Sequence, residues 1–157
     1  YKLTACILDR PRHAELIKAL RRLEVGVKLI QDGDIAACIH TALPDSGIDL
    51  YLGSGGAPEG VLAATALKVL GGQLVGRLLF RDAEEKDRAY KLGITDLDRQ
   101  YSHHDLATGD TLFVATGVTT GDLLPGVLDT SSGRSKVTTL VIASNPARTI
   151  KIENEVH

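Results

Sequence analysis

The sequence predicts an α/β domain in which helices cover both faces of a mixed, largely parallel sheet, a layered α-β-α arrangement. Three observations carry this expectation. Apolar runs of strand length alternate with helix-length segments from residue 3 to residue 70, Gly- and Asp-rich stretches stand where those runs end, and two β-rich segments flank Asn145-Pro146.

The first strand is "LTACIL" at 3–8, a short apolar run. In the following "DRPRHAELIKALRRLE", Pro11 suits the first turn of a helix and Leu16, Ile17, Leu20 and Leu23 share one face. "VGVKLI" at 25–30 is the second strand, "DGD" at 32–34 a turn, and "IAACIHTAL" a short helix. "IDLYLG" is the third strand. It leads into "PEGVLAATALKVL", a helix apolar on nearly every side, expected to be deeply buried and to stop at Gly71-Gly72. Beyond it, "QLVGRLLF" reads as a strand, "DAEEKDRAYKLG" as an exposed helix and "DTLFVATG" as another strand, and "SKVTTLVIAS" with "ARTIKIENEV" as a hairpin. No internal repeat, low-complexity segment or linker interrupts the chain, so residues 1–157 are expected to form a single domain.

Composition narrows the function classes. The 157 residues are 43% hydrophobic and 24% charged, the balance of a soluble fold with a sizeable core. A net charge of -2 without a long basic run argues against a sequence-independent grip on nucleic acid or on an anionic membrane. No apolar run reaches the roughly 20 residues of a spanning helix, and no leader precedes the first strand. Cys6 and Cys38 lie in apolar contexts without metal-type spacing. They read as reduced core residues, which fits a cytoplasmic setting. The chain has no methionine and opens on Tyr1 directly into a strand-like run, suggesting a segment upstream of it.

The candidate chemistry lies at strand ends, where open α/β sheets bind ligands. In "GSGGAPEG" the glycines let backbone N–H groups approach a ligand, and Pro58 starts a helix whose positive end favours anions; a tight strand-to-helix connection would use the same residues. Glu59 would repel a phosphate unless a cation stands between them, which suits Mg²⁺ or Mn²⁺; alternatively the carboxylate merely favours the helix start. Asp32 and Asp34 around Gly33 could hold a hard cation or accept from sugar hydroxyls, or serve as turn residue and helix cap. Arg10 and Arg12, on either side of Pro11, suit bidentate phosphate binding or form a solvated pair. His13 shares a face with Leu16, Ile17 and Leu20, which favours packing over catalysis. His103-His104 reads as a surface pair. "ATGVTTGDLLPG" at 115–126 is a second Gly/Thr-rich loop that could help frame a ligand, although loop architecture alone accounts for it.

Taken together, "ILDRPRHAELI", "LIQDGDIAA", "GSGGAPEGVLAA", "LKVLGGQLVGRLLF", "LGITDLDRQY" and "LFVATGVTTGDLLPGV" run in the order of the class II fructose-1,6-bisphosphatases. Across nearly its whole length the chain resembles the C-terminal domain of the bacterial glycerol-regulon type and its cyanobacterial relatives, which also accept sedoheptulose 1,7-bisphosphate. The resemblance implies the C-terminal half of a lithium-sensitive sugar-phosphatase fold and hydrolysis of the 1-phosphate with Mg²⁺ or Mn²⁺. It also implies assembly as dimers or tetramers. By matching position, Glu59 is the implied metal ligand, Gly56 brings backbone to the substrate, Asp32, Gly33 and Asp34 contact the sugar, and Arg10, Pro11 and Arg12 hold the phosphate that is not cleaved. In that family the upstream half supplies most metal-binding carboxylates and the water-activating group, and none of it is in this chain. The chain alone is therefore expected to be inactive, with no catalytic residue of its own. The segment from Leu128 to Arg134 and the tail "NPARTIKIENEVH" depart from the family pattern. Two alternatives are a stand-alone sugar-phosphate-binding or regulatory module and a related inositol or sugar phosphate phosphatase.

Overall fold

The computed structural model describes residues 2–131 and 133–156. Strand β1 (Thr4–Leu8) is the axis of a three-stranded parallel sheet, flanked by β2 (Gly26–Ile30) and β3 (Leu50–Tyr51) in the order β2-β1-β3. A 3₁₀ turn (Pro11–His13) and helix α1 (Ala14–Arg22) connect β1 to β2, and α2 (Asp34–His40) follows β2. Alternation along β1 divides its side chains between two faces. Ala5 and Ile7 pack under Ile17 and Leu20 of α1, whereas Cys6 packs with Ala37 of α2 and Ile48. The two helices therefore cover opposite faces, and Ala5, Cys6 and Ile7 are wholly inaccessible to solvent. A layered α-β-α unit is thus present, built on the apolar run and the amphipathic spacing of Ile17 and Leu20.

Helix α3 (Ala57–Leu70) bridges to the second half of the chain. Its alanines at 63, 64 and 66 and Leu67 are buried, but its first turns are not: Val61 and Leu62 are exposed. It stops where expected. Gly71 takes a left-handed φ of 75°, which a side chain would strain, and the N–H groups of Gly71 and Gly72 both donate to Leu67 O. Ala66 joins Ile39 of α2 in the largest core cluster, facing Phe113, Leu124, Leu140 and Ile142.

Those last residues belong to a different sheet, and here the expectation of one largely parallel sheet fails. Strands β4 (Val75–Gly76) and β5 (Tyr101–Ser102) form a small antiparallel pair. Strands β6 (Leu112–Thr116), β7 (Leu128–Asp129), β8 (Ser135–Ser144) and β9 (Ala147–Val156) form a four-stranded antiparallel sheet, with β6 and β7 along one side of β8 and β9 along the other. Parallel pairing is confined, among the described residues, to β1 with its two neighbours. In the four-stranded sheet short connections join β7 to β8 and β8 to β9, and a hairpin imposes antiparallel pairing. The hairpin around Asn145-Pro146 is present as expected. "QLVGRLLF" reaches strand geometry only at Val75–Gly76, because its partner Tyr101–Ser102 is two residues long and leaves Leu79 exposed.

Between β4 and β5 lies α4 (Ala83–Lys91), the exposed helix read from the sequence, capped by Asp82, whose side chain accepts from Glu85 N–H at 2.9 Å. A four-residue helix α5 (His103–Leu106) carries His103-His104. His104 is exposed, while His103 is half-buried and lowered in pKa by burial and by the neighbouring His104. No helix among the described residues is long and apolar enough to cross a membrane.

Ile142 sits at the centre of the cluster joining α2 and α3 to the antiparallel sheet, 1% exposed. Ile142→Ala is expected to cost about 2–5 kcal/mol of unfolding free energy, lost transfer energy plus the cavity left behind. Urea denaturation followed by circular dichroism measures it.

Candidate functional site

Parallel pairing in the order β2-β1-β3 brings the carboxyl ends of three strands to one edge, with the loop after β1 between the other two. Asp9 N–H donates to Ile30 O at 2.8 Å and Leu52 N–H to Cys6 O at 3.1 Å, so all three loops leave the sheet at fixed spacing.

Arg10, Pro11 and Arg12 occupy the central position. Pro11 opens the 3₁₀ turn, where its missing N–H costs nothing. The two guanidinium groups diverge. Arg10 donates through Nη1 to Asp9 O at 2.9 Å and through Nη2 to Gln31 O, tying the end of β1 to the "DGD" turn. Arg12 reaches the other way: Nη2 donates to Ser54 O at 2.8 Å, and Nε to Ser54 Oγ at 3.1 Å. Both arginines are struts between loops, whatever else they bind. His13 is 3% exposed, which agrees with a packing role, and both its ring nitrogens are engaged, with Leu8 O at 2.8 Å and with Ser54 N–H at 3.0 Å.

In "DGD", Gly33 is the N-cap of α2 with a left-handed φ of 79°, and the two aspartates part company around it. Asp34 is the first helical residue and supplies no cap to the turn above; its Oδ1 accepts only from the next N–H, that of Ile35, at 3.1 Å. Its other oxygen lies against the glycine loop, where a Cβ on Gly55 would come within 3.3 Å of Oδ2. In that loop Gly56 is the N-cap of α3, and the carboxylate of Glu59 folds back over it so closely that a Cβ on Gly56 would collide with Oε2.

A cleft of about 810 Å³ opens beside this loop, lined by Asp34, Tyr51, Gly53 to Gly56 and Glu59, with Tyr101 on the far side. The structure therefore brings Asp34, Gly56 and Glu59 together. Asp32 and Gly33 instead line an adjacent cavity of about 520 Å³ shared with Lys28, His40 and the 116–124 loop, where Lys28 pairs with Asp122 at 2.5 Å. Arg10, Pro11 and Arg12 line neither; Arg12 is bonded to Ser54 at the first cavity and Arg10 to Gln31 at the second. His103 and His104 do not enter the cleft.

Asp34 places negative charge at the cleft, whose lining also includes Arg77. Burial, then the Asp34 charge, pushes the Cys38 thiol up to about 12; burial, then Asp34, also raises the Tyr51 phenol. Cys6 is raised mainly by burial. Both cysteines are free thiols. Glu59 is an exposed carboxylate at the cleft, chemically suited to be one oxygen ligand of a hard cation. Among the described residues, no group of three or more His, Cys, Asp or Glu side chains could hold a metal ion.

Sequence reasoning missed Ser54 and Tyr51. Ser54 stands out in hindsight as the one polar side chain among the glycines of "GSGG", and Tyr51 could not be distinguished from a core aromatic. The 115–126 loop, set aside as mere connection, walls the second cavity and is tightly fitted: a Cβ on Gly126 would lie 2.6 Å from Thr120 N.

The sequence model of the family "Bacterial fructose-1,6-bisphosphatase, glpX-encoded" matches residues 1–157. A D-fructose 1,6-bisphosphatase class 2/sedoheptulose 1,7-bisphosphatase of Synechococcus sp. (strain JA-3-3Ab) is 39% identical over 168 residues, covering 99% of this chain and 48% of the relative. A protein of the same name from Trichodesmium erythraeum (strain IMS101) is 37% identical over 169 residues, with the same coverage. The chain thus spans about half the length of the curated relatives it matches.

The raised Cys38 thiol fixes a pH dependence. An unfolded thiol ionises near its usual value of 9.0, while the folded one keeps its proton to about 12, so its contribution to stability is full below 9 and is lost as pH rises towards 12. Denaturation midpoints should fall as pH rises through that window, and Cys38→Ala should make the decline shallower; parallel pH profiles of the two proteins measure it.

Proposed function

The chain belongs to the glpX-encoded bacterial fructose-1,6-bisphosphatase family, and from that premise we propose that it is the substrate-binding C-terminal half of a sugar bisphosphatase with the lithium-sensitive sugar-phosphatase fold. In this reading the full protein hydrolyses the 1-phosphate of fructose 1,6-bisphosphate, and of sedoheptulose 1,7-bisphosphate where it accepts that substrate. The observation that supports the reading is a cleft at the strand ends with Asp34, Gly56 and Glu59 at its wall, to whose glycine loop Arg12 is bonded through Ser54.

Each group has a chemical part. The Asp34 carboxylate accepts from sugar hydroxyls at the cleft, Asp32 does so for a substrate that spans the two cavities, and the backbone at Gly56, which has no side chain of its own, approaches the substrate beside the Glu59 carboxylate. A guanidinium has five N–H donors, and the carbonyl bonds of Arg10 and Arg12 leave donors over on each for the phosphate that is not cleaved. Holding that distant phosphate orients the substrate and so converts binding into positioning at the scissile end. Glu59 offers one ligand to Mg²⁺ or Mn²⁺, the remaining ligands and the water-activating group coming from outside these residues. Such an ion, when bound, offsets phosphoryl charge and lowers the pKa of a coordinated water. The full protein is expected to assemble as a dimer or tetramer in the cytoplasm.

The purified 157-residue chain should bind fructose 1,6-bisphosphate weakly by calorimetry and release no phosphate with Mg²⁺ or Mn²⁺. Metal-dependent release well above background would overturn the division of labour. Arg10→Ala should weaken that binding about ten- to hundredfold, the value of a charge-assisted hydrogen bond. In a protein carrying both halves, Glu59→Gln should lower turnover at limiting metal while leaving the fold intact. Unchanged turnover there would remove Glu59 from the metal shell. A chain that binds the bisphosphate while the two-half protein has no phosphatase activity would favour a binding or regulatory module.

A further inference from the structure

His13 is a polar side chain that the proposed function leaves unused, yet it is more completely bonded than any residue assigned to the site. Its ring is 3% exposed, Nδ1 stands 2.8 Å from Leu8 O, and Nε2 stands 3.0 Å from Ser54 N and 3.3 Å from Ser54 Oγ. The chemistry of the partners determines the tautomer. A carbonyl oxygen can only accept, so Nδ1 must carry the proton; a backbone N–H can only donate, so Nε2 must be bare. A protonated Nε2 would set two donors against each other. The bond spans 41 residues of sequence, from the end of β1 to the glycine loop.

The loop is shaped around this ring. A Cβ on Gly53 would lie 3.1 Å from His13 Cε1 and 3.3 Å from Nε2, so the loop backbone crosses the imidazole at a distance that leaves a side chain almost no room. Arg12, one residue earlier, holds Ser54 O and Oγ. The backbone N–H, the carbonyl and the hydroxyl of Ser54 are therefore all gripped by consecutive side chains of the 3₁₀ turn. Two residues after Ser54 the chain reaches Gly56, the N-cap of α3, and one helical turn later Glu59.

We propose that His13 is a positioning residue: as the Nδ1–H tautomer it hangs the glycine loop from the end of β1 and so fixes where Gly56 and Glu59 stand at the cleft. This rests on the reading of that cleft as the sugar-bisphosphate site. A histidine is required because it supplies a donor at the δ position and an acceptor at the ε position of one rigid ring. Asparagine can reproduce only the δ donor, glutamine only the ε acceptor.

The test uses that difference in the 157-residue chain. In the unsubstituted protein, ¹⁵N spectra should show Nε2 of His13 unprotonated and Nδ1 protonated. His13→Asn, which keeps the Leu8 bond and loses Ser54, should speed amide exchange at Ser54, whose N–H it releases, about tenfold, the factor of one hydrogen bond. Exchange at Cys6 and Ile142 should stay unchanged. His13→Gln, which keeps the Ser54 bond, should restore most of the protection and bind fructose 1,6-bisphosphate more tightly than His13→Asn. The proposal is overturned by a protonated Nε2, by equal loop exchange in the two variants, or by acceleration spread uniformly over the chain. If both variants fail to fold, the tautomer decides. Should fructose 1,6-bisphosphate leave the Gly55 and Gly56 signals of the unsubstituted protein unmoved, the cleft reading fails while the exchange result still judges the latch.

Discussion

Everything in the first half of the molecule depends on β1 being paired in parallel on both edges. A strand in that position has its backbone groups satisfied by its neighbours and can lose all contact with water, as Ala5, Cys6 and Ile7 do. Parallel neighbours in turn demand that the chain cross back over the sheet after each strand. Because side chains alternate, the two crossings bury their apolar faces on opposite sides, α1 over Ala5 and Ile7 and α2 over Cys6. The loops that begin these crossings, together with the loop that follows β3, must leave from the same end. The candidate site is thus a consequence of the pairing of one five-residue strand: arginines, aspartates and glycines far apart in sequence become neighbours because their strands do.

The same dependence explains what could be read from the sequence. From Leu3 to Leu70 each strand and helix announces itself locally, through an apolar run, an amphipathic stripe or a Gly pair at a helix end, and the order of elements was legible. Partner choice was not. "DTLFVATG" and "SKVTTLVIAS" are as apolar as a parallel strand, and nothing within either says that they pair with each other antiparallel in a sheet of their own. In "QLVGRLLF" the pattern promised a long strand, but a strand is only as long as its partner.

At the site, residue types were legible and directions were not. Asp32 and Asp34 flank a single glycine, so sequence treats them as a pair; the left-handed turn at Gly33 sends them to different cavities. Arg10 and Arg12 also look like a pair, and their guanidinium groups point to different loops. His13 was rightly placed among packed residues by its spacing with Leu16, Ile17 and Leu20. Spacing says nothing of what a buried ring's nitrogens touch, and those contacts make Ser54 the meeting point of the arginine turn and the glycine loop.

Charge decides how such a site can work. The cleft wall carries Asp34 and Glu59, and the field of Asp34 is felt strongly enough to help hold protons on Cys38 and Tyr51. On the proposed reading a doubly phosphorylated sugar must enter a cleft that carries these carboxylates. Arg10 and Arg12 can meet one phosphate, but each already spends donors on backbone carbonyls. The other phosphate then faces the Glu59 carboxylate, with the exposed Arg77 the cationic side chain lining that cleft among the described residues. Two negative groups at contact distance repel by several kcal/mol in a site of intermediate dielectric, about 4 kcal/mol per pair of unit charges at 4 Å. On that reading a cation between them would offset the repulsion, with Glu59 as one of its ligands. On that reading the glycine loop supplies closely approaching backbone and its glutamate one ligand, together one side of the proposed site.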